Sequence, residues 1–280
     1  MIDNNWIIDK KILDDLVQKM TQVWDFILDK YQKAEVKAEY KEWADIVTDI
    51  DREAEIMIRD FFEDNFPGHS INGEEFWIND NNSDYTWYID PIDWTKYFNN
   101  NISLFVTCVW LRYKDQPVFW IVYNPSIKKI VYWGDFYWWT YLNWKKVDPI
   151  EEKPVNMTMM SIEQCSIWKN EDAKNIFRRD IFDSILKRSF YRCRGVWATW
   201  ALTLGFDLFQ VYMSAKIMDI TPTSAVLKPL WFNEEFIDLF WSRYIWVGKE
   251  KTMNFIKETI KKVEKISDKD IENMINIIWF

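Results

Sequence analysis

Apolar side chains recur at Ile12, Leu16, Met20, Val23, Ile27 and Tyr31, in steps of three and four that mark one face of a long helix over residues 7–33. A second stripe, Ile50, Ala54, Met57, Ile58 and Phe61, follows Thr48 and Asp51, which have the spacing of a capping box. This predicts a helix that begins at Thr48 and stops before Pro67. From about residue 103 the period shortens to that of strands. The runs SLFVTCVW, PVFWIVY and KKIVYW, parted by KDQ and NPS, predict an antiparallel meander. The Pro- and Glu-bearing stretch VDPIEEKPVN at 147–156 is the expected boundary between an α+β domain, 1–150, and a smaller α/β domain, 151–280. In the second domain EDAKNIFRRDIFDSILKR and FDLFQVYMSAKIMDI read as helical stretches alternating with short apolar runs, and EKTMNFIKETIKKVEKI is expected to end the fold. No internal repeat or low-complexity tract interrupts this order.

A chain of 280 residues can bury one large core or two modest ones. Its formal charge of -9 and pI near 4.9 argue against a nucleic-acid partner, which calls for a basic surface. No apolar run approaches the roughly 20 residues that span a bilayer, and MIDNNWIIDKK lacks the basic-then-apolar order of a signal peptide. The expectation is a cytoplasmic protein with no membrane partner. Cys108, Cys165 and Cys193 lie far apart, and a single histidine cannot supply a His-based site, so zinc and Ser-His-Asp chemistry are set aside.

Composition adds an anomaly. A chain of this length ordinarily carries about 20 glycines; this one has 6, alongside 19 tryptophans. The tryptophans stand where glycine chemistry is wanted. Asn143-Trp144 takes the place of an Asn-Gly hairpin turn in TYLNWKKV, and Trp138-Trp139 interrupts a strand-turn region. Some lineages read the UGA codon as glycine, whereas a widely used alternative translation table reads it as tryptophan. The hypothesis is that most of these tryptophans are glycines; the plainer alternative is a Trp-rich protein.

Candidate chemistry lies in carboxylates: Asp51, the pair Glu74 and Glu75 in INGEE, Asp90 and Asp93 in DPID, and Asp219 in KIMDI. Carboxylates without histidine or cysteine suit Mg²⁺, a hard cation that takes oxygen ligands together with waters and substrate phosphate oxygens. In DPID the proline stiffens the segment, and the Ile92 carbonyl is a further oxygen. Were residue 94 glycine, its N–H and that of Thr95, at a helix start, would approach a phosphate closely. A tryptophan at 94 would obstruct that place. Taken singly, each acidic pair reads more readily as a solvated surface, and Thr48 with Asp51 as a helix cap only.

The ordered combination resembles the inositol monophosphatase family of magnesium-dependent, lithium-sensitive phosphatases. The resemblance rests on KEWADIVTDID at 41–51 with Glu55, PGHSINGEE at 67–75 and TWYIDPIDWTKYF at 86–98, with glycine in place of Trp43 and Trp94. It continues through WIVYNP at 120–125, the hairpin at 134–147, RGVWA at 194–198 and KIMDI at 216–220, and covers about residues 8–250. It implies a layered α-β-α-β-α sandwich of the α/β class and a homodimer. It also implies roles. Glu74, Asp90 and the Ile92 carbonyl would bind one Mg²⁺; Asp90, Asp93 and Asp219 would bind a second. Asp51 and Thr95, with Glu74 contributing through a third metal, would orient and activate the attacking water. Asp93, Trp94 (as glycine), Thr95 and Asp219 would line the substrate site. The implied reaction is hydrolysis of a small phosphate monoester, inositol monophosphate or a related polyol or sugar phosphate.

Departures from the family pattern leave the substrate open. Asp219 stands in MDITPT rather than in the usual Trp-Asp, two alanines and glycine, and the stretch 197–219 is short, with no clear counterpart of the inositol-gripping glutamate. Lys96 after Thr95 resembles relatives that act on histidinol phosphate or 3′-phosphoadenosine 5′-phosphate. Two non-enzyme alternatives remain: a pseudoenzyme with a genuine Trp94, and an aromatic-rich carbohydrate-binding module.

Overall fold

The computed structural model describes residues 8–33, 38–40, 46–76, 78–93, 95–100, 102, 105–114, 116–124, 128–134, 139–149, 151–162, 173–189, 191–193, 208–213, 227, 230, 232–239 and 242–278. The chain divides into two compact units, Met1–Val147 and Asp148–Phe280.

In the first unit, α1 (Lys10–Lys33) buries Leu13, Leu16, Met20, Val23, Trp24 and Ile27, close to the face that the apolar spacing marks out. Helix α2 (Asp49–Asn65) stops two residues short of Pro67. It buries Ile50, Ala54, Ile58 and Phe62, so the last large side chain turned inward is Phe62 and not Phe61. After a short ribbon of β1 (Ala38–Tyr40) and β2 (Ile46–Thr48), seven strands form one sheet in sequence order. They are β3 (Ser70–Gly73), β4 (Tyr85–Asp93), β5 (Val106–Tyr113), β6 (Gln116–Asn124), β7 (Lys129–Gly134), β8 (Thr140–Leu142) and β9 (Lys145–Lys146). Only the β3–β4 pair is parallel; the others are antiparallel, and β5, β6 and β7 are the meander foreseen from the chain. One face of the sheet, with Ile89, Val109, Leu111, Phe119, Ile121 and Ile130, joins the inward faces of α1 and α2 in a single apolar cluster. Residues 106–111 of β5 are all buried, so both faces of that strand are covered. Helix α3 (Thr95–Asn99) follows β4.

The second unit holds a five-stranded sheet in the order β11, β10, β12, β14, β13. Its members are β10 (Met159–Ile162), β11 (Tyr191–Cys193), β12 (Leu208–Met213), β13 (Asn233–Leu239) and β14 (Ser242–Gly248). Strands β10 and β11 are parallel and joined through α4 (Ala173–Ser189). The segment expected to be helical at 208–213 is instead strand β12, bonded between β10 and β14. A short apolar run does not by its period distinguish a buried strand from a helix turn, and pairing on both edges decides it. Helix α5 (Glu250–Glu264) packs Met253, Ile256, Ile260 and Val263 against Phe182 and Leu186 of α4 and Trp246 of β14. Its first N–H groups, on Lys251 and Thr252, donate to the Glu152 carboxylate at 2.6 and 3.3 Å. The fold does not end there: α6 (Asp268–Ile278) follows, tied to α4 by Lys174–Glu272 and Arg178–Asp268 ion pairs at 2.6 and 2.5 Å. Among the described residues no helix is long and apolar enough to cross a membrane.

Candidate active site

Thr48 has extended backbone and closes α2 with a full capping box, so the helix start is fixed by two reciprocal bonds. Oδ2 of Asp51 accepts from the Thr48 N–H at 2.9 Å and from the Thr48 hydroxyl. The cap occupies only one carboxylate oxygen. The other, Oδ1, lies 3.3 Å from the hydroxyl of Thr95, which also stands 3.0 Å from the Ile92 carbonyl. A hydroxyl has one proton, so the Asp51 carboxylate and the Ile92 carbonyl share it. Asp51 and Thr95 are both buried. Burial pushes the Asp51 carboxyl up to about 7, against the lowering effect of the Thr48 hydrogen bonds, with the nearby Glu75 charge adding to the rise and the Thr95 hydroxyl opposing it.

Strand β4 carries the DPID segment. Its ladder with β5 is regular from Tyr85 to Asp90 and then shifts register before Asp93, a bulge that lets Asp90, Ile92 and Asp93 leave the strict alternation of a strand. Thr107 of β5, fully buried, donates its hydroxyl to the Pro91 carbonyl inside this irregular stretch. Glu74 comes to the same place by parallel pairing. Gly73 is in register with Ile89, and the Glu74 N–H donates to the Ile89 carbonyl at 3.0 Å, which seats Glu74 beside the start of DPID. Glu74 is exposed; Asp90 and Asp93 are half-buried. Of the predicted site residues, Asp51, Ile92 and Thr95 are joined by hydrogen bonds, Asp90 and Asp93 share strand β4 with Ile92, and Glu74 is seated by its backbone beside that strand, while Trp94 and Asp219 lie outside the described residues.

A supporting network that the sequence reading assigned no role lies one helical turn on from Asp51. Glu55 is fully buried and accepts from Arg59 Nε at 2.7 Å and from the Glu75 N–H at 2.8 Å. Its carboxylate therefore holds the Glu74–Glu75 turn against α2. Burial raises the Glu55 carboxyl, and the Glu75 N–H and Arg59 oppose that rise. Gly73 makes the approach possible: a Cβ there would sit 1.8 Å from Glu55 Oε1. The signal was present in the spacing, since Asp51, Glu55 and Arg59 recur every four residues on the face that also carries the apolar stripe. Charged side chains within a buried stripe are the mark of a paired network.

Among the described residues no three acidic, histidine or cysteine side chains form a ready-made metal cage. The fit to a cation rests on donor chemistry: the carboxylates of Glu74, Asp90 and Asp93 and the Ile92 carbonyl are hard oxygen donors, the set that magnesium takes.

A family model described as "Inositol monophosphatase family" matches residues 10–219. The chain is 34% identical over 103 residues to the "Fructose-1,6-bisphosphatase/inositol-1-monophosphatase" of Aquifex aeolicus, a match covering 37% of this chain and 39% of that protein. It is 27% identical over 125 residues to "Inositol monophosphatase 3" of Solanum lycopersicum, covering 43% of this chain and 46% of that one. The matched segments thus span less than half the length of these relatives. Among solved structures, the suhB protein of Bartonella henselae superposes with a TM-score of 0.76 at 16% identity, over 90% of this chain and 99% of that one. A Staphylococcal IMPase complexed with products gives 0.71 at 17% identity, over 90% and 96%. At such identities these two likenesses establish the fold, which is the α/β fold expected from the sequence.

Proposed function

The chain belongs to the inositol monophosphatase family, and on that premise we propose that it is a Mg²⁺-dependent phosphatase that hydrolyses inositol monophosphate or a related polyol or sugar phosphate. The observation that carries this reading is the shared proton of Thr95, held between the Asp51 carboxylate and the Ile92 carbonyl. Thr95 positions a water through its hydroxyl. Asp51, raised by burial to about 7, accepts the proton that Thr95 passes on as that water attacks phosphorus. Glu74, Asp90, Asp93 and the Ile92 carbonyl are the hard oxygen donors that would hold magnesium, and the family resemblance adds Asp219 to that set. When bound, the metal polarises the phosphate and makes the attacking water more acidic. Glu55 and Arg59 keep Glu74 in place. The names of the Aquifex and Solanum relatives support inositol and sugar phosphates as the first substrates to try. Lys96 directly after Thr95 favours a second reading, histidinol phosphate or 3′-phosphoadenosine 5′-phosphate. We further propose a cytoplasmic homodimer, as is common for the family.

The test is phosphate release from a panel of inositol, polyol, sugar, histidinol and 3′-phosphoadenosine phosphates with and without Mg²⁺. The expected result is Mg²⁺-dependent turnover that lithium inhibits and that Asp93→Asn loses at the Mg²⁺ concentration that half-saturates the parent protein. Absence of turnover on the whole panel, by protein carrying glycine at 94, would overturn the enzyme reading in favour of a binding role.

A further inference from the structure

The hairpin of β8 and β9 is closed by two residues. Tyr141 pairs with Lys146 and Leu142 with Lys145, leaving Asn143-Trp144 as the whole loop. Their φ angles are 47° and 68°, the left-handed pair of a type I′ turn. Asparagine tolerates this region; a tryptophan does not, because its Cβ meets the backbone there. The indole of Trp144 gains little in return: it leans on Tyr132, with ring centres 5.4 Å apart, and remains 48% exposed.

Trp120 presents the opposite conflict. It lies in the middle of β6, in register with Trp110 on one neighbour and Trp133 on the other, so three tryptophans stand abreast across three adjacent strands. Trp120 is 1% exposed, and its indole N–H is buried with no hydrogen-bond partner among the described residues. A buried indole N–H ordinarily finds an acceptor. Trp87, on β4, shows what a fitted indole looks like in this sheet: it is fully buried, stacked 4.0 Å from Phe62, and its N–H donates to His69 Nδ1 at 3.1 Å. Of these three, Trp87 is a tryptophan that the fold uses, and Trp120 and Trp144 are ones it accommodates at a loss.

We propose that in the source organism positions 120 and 144 are occupied by glycine, through UGA codons assigned to glycine, and that position 87 is a genuine tryptophan read from UGG. Glycine at 144 completes an Asn-Gly turn without strain. Glycine at 120 removes the orphaned N–H and leaves one bare backbone position between residues 110 and 133 in the centre of the sheet, the kind of place where another chain segment packs closely. The 6 glycines and 19 tryptophans of the chain are then one anomaly and not two.

Three readouts test it. Codons at 120 and 144 should both be UGA and that at 87 UGG. Peptide mass spectrometry of the protein purified from its own host should find glycine at 120 and 144 and tryptophan at 87. Tryptophan at 120 or 144, or glycine at 87, overturns the proposal. In recombinant protein bearing tryptophan throughout, Trp144→Gly should raise the thermal midpoint by about 2 °C or more. A lowered midpoint would overturn the turn argument, since a surface loop offers no cavity to collapse.

Discussion

The Thr95 hydroxyl lies 3.3 Å from Asp51 Oδ1, joining residues 44 apart in sequence across the junction of α2 and α3. Asp51 is at once the N3 residue of a capping box and a partner of Thr95, two residues beyond DPID. One oxygen serves each task, so a single side chain couples the geometry of a helix start to that of the candidate site.

Thr95→Ala removes the hydroxyl without disturbing the cap. Turnover on the best substrate of the panel should fall about 10²-fold or more, the usual share of positioned proton transfer. The thermal midpoint, measured alongside, should stay close to that of the parent protein, and a large fall in it would assign Thr95 a structural role instead.

Asp51 ties stability to pH. In the unfolded chain its carboxyl titrates near 3.8, and in the folded one at about 7, raised chiefly by burial. The folded state therefore holds the extra proton between these values, and stability declines as pH rises from about 4 to about 7. Above that range the whole cost of the buried charge is present, on the order of 4 kcal/mol. Asp51→Asn should accordingly stabilise the metal-free protein against urea at pH 8 and lose that advantage at pH 4. Equal effects at the two pH values would contradict the assignment.

Gly73 and Glu55 are a sterically coupled pair. Gly73→Ala places a methyl against the Glu55 carboxylate and should destabilise the fold by about 1–3 kcal/mol. Adding Glu55→Ala should recover part of that loss, because the clash is relieved, while activity stays low, because the Glu75 N–H has lost its acceptor. Independent, additive effects in a double-mutant cycle would show the two residues not to interact.

Metal ligation is addressed with isosteric changes. Asp90→Asn and Asp93→Asn should each raise the Mg²⁺ concentration needed for half-maximal turnover by at least about tenfold, with far-ultraviolet circular dichroism unchanged. Asp219→Asn should do the same if that residue completes the set. An unaltered magnesium requirement in all three would remove them from the metal site.

Local regularities were legible along the chain. The period of α1, the Thr48–Asp51 cap, the stop before Pro67 and the β5–β7 meander all depend on neighbours a few residues apart, and each stands in the structure where the pattern put it. The family was legible too, because INGEE and DPID are contiguous strings. Long-range choices were not. Residues 208–213 became β12 because two strands were there to pair with it, and α6 formed a further helix beyond the segment expected to close the fold.

The sequence by itself determined which hard oxygen donors the chain offers, the carboxylates of INGEE and DPID, and that a capped helix starts at Thr48. Only the tertiary structure decided which oxygen of Asp51 is left for Thr95, that Glu55 and Arg59 hold the Glu75 amide, and that Gly73 lets Glu55 approach. The physical reason is burial. A carboxylate's identity is written in the chain, but its free energy depends on which donors and which low-dielectric surroundings the fold brings within about 3 Å of it.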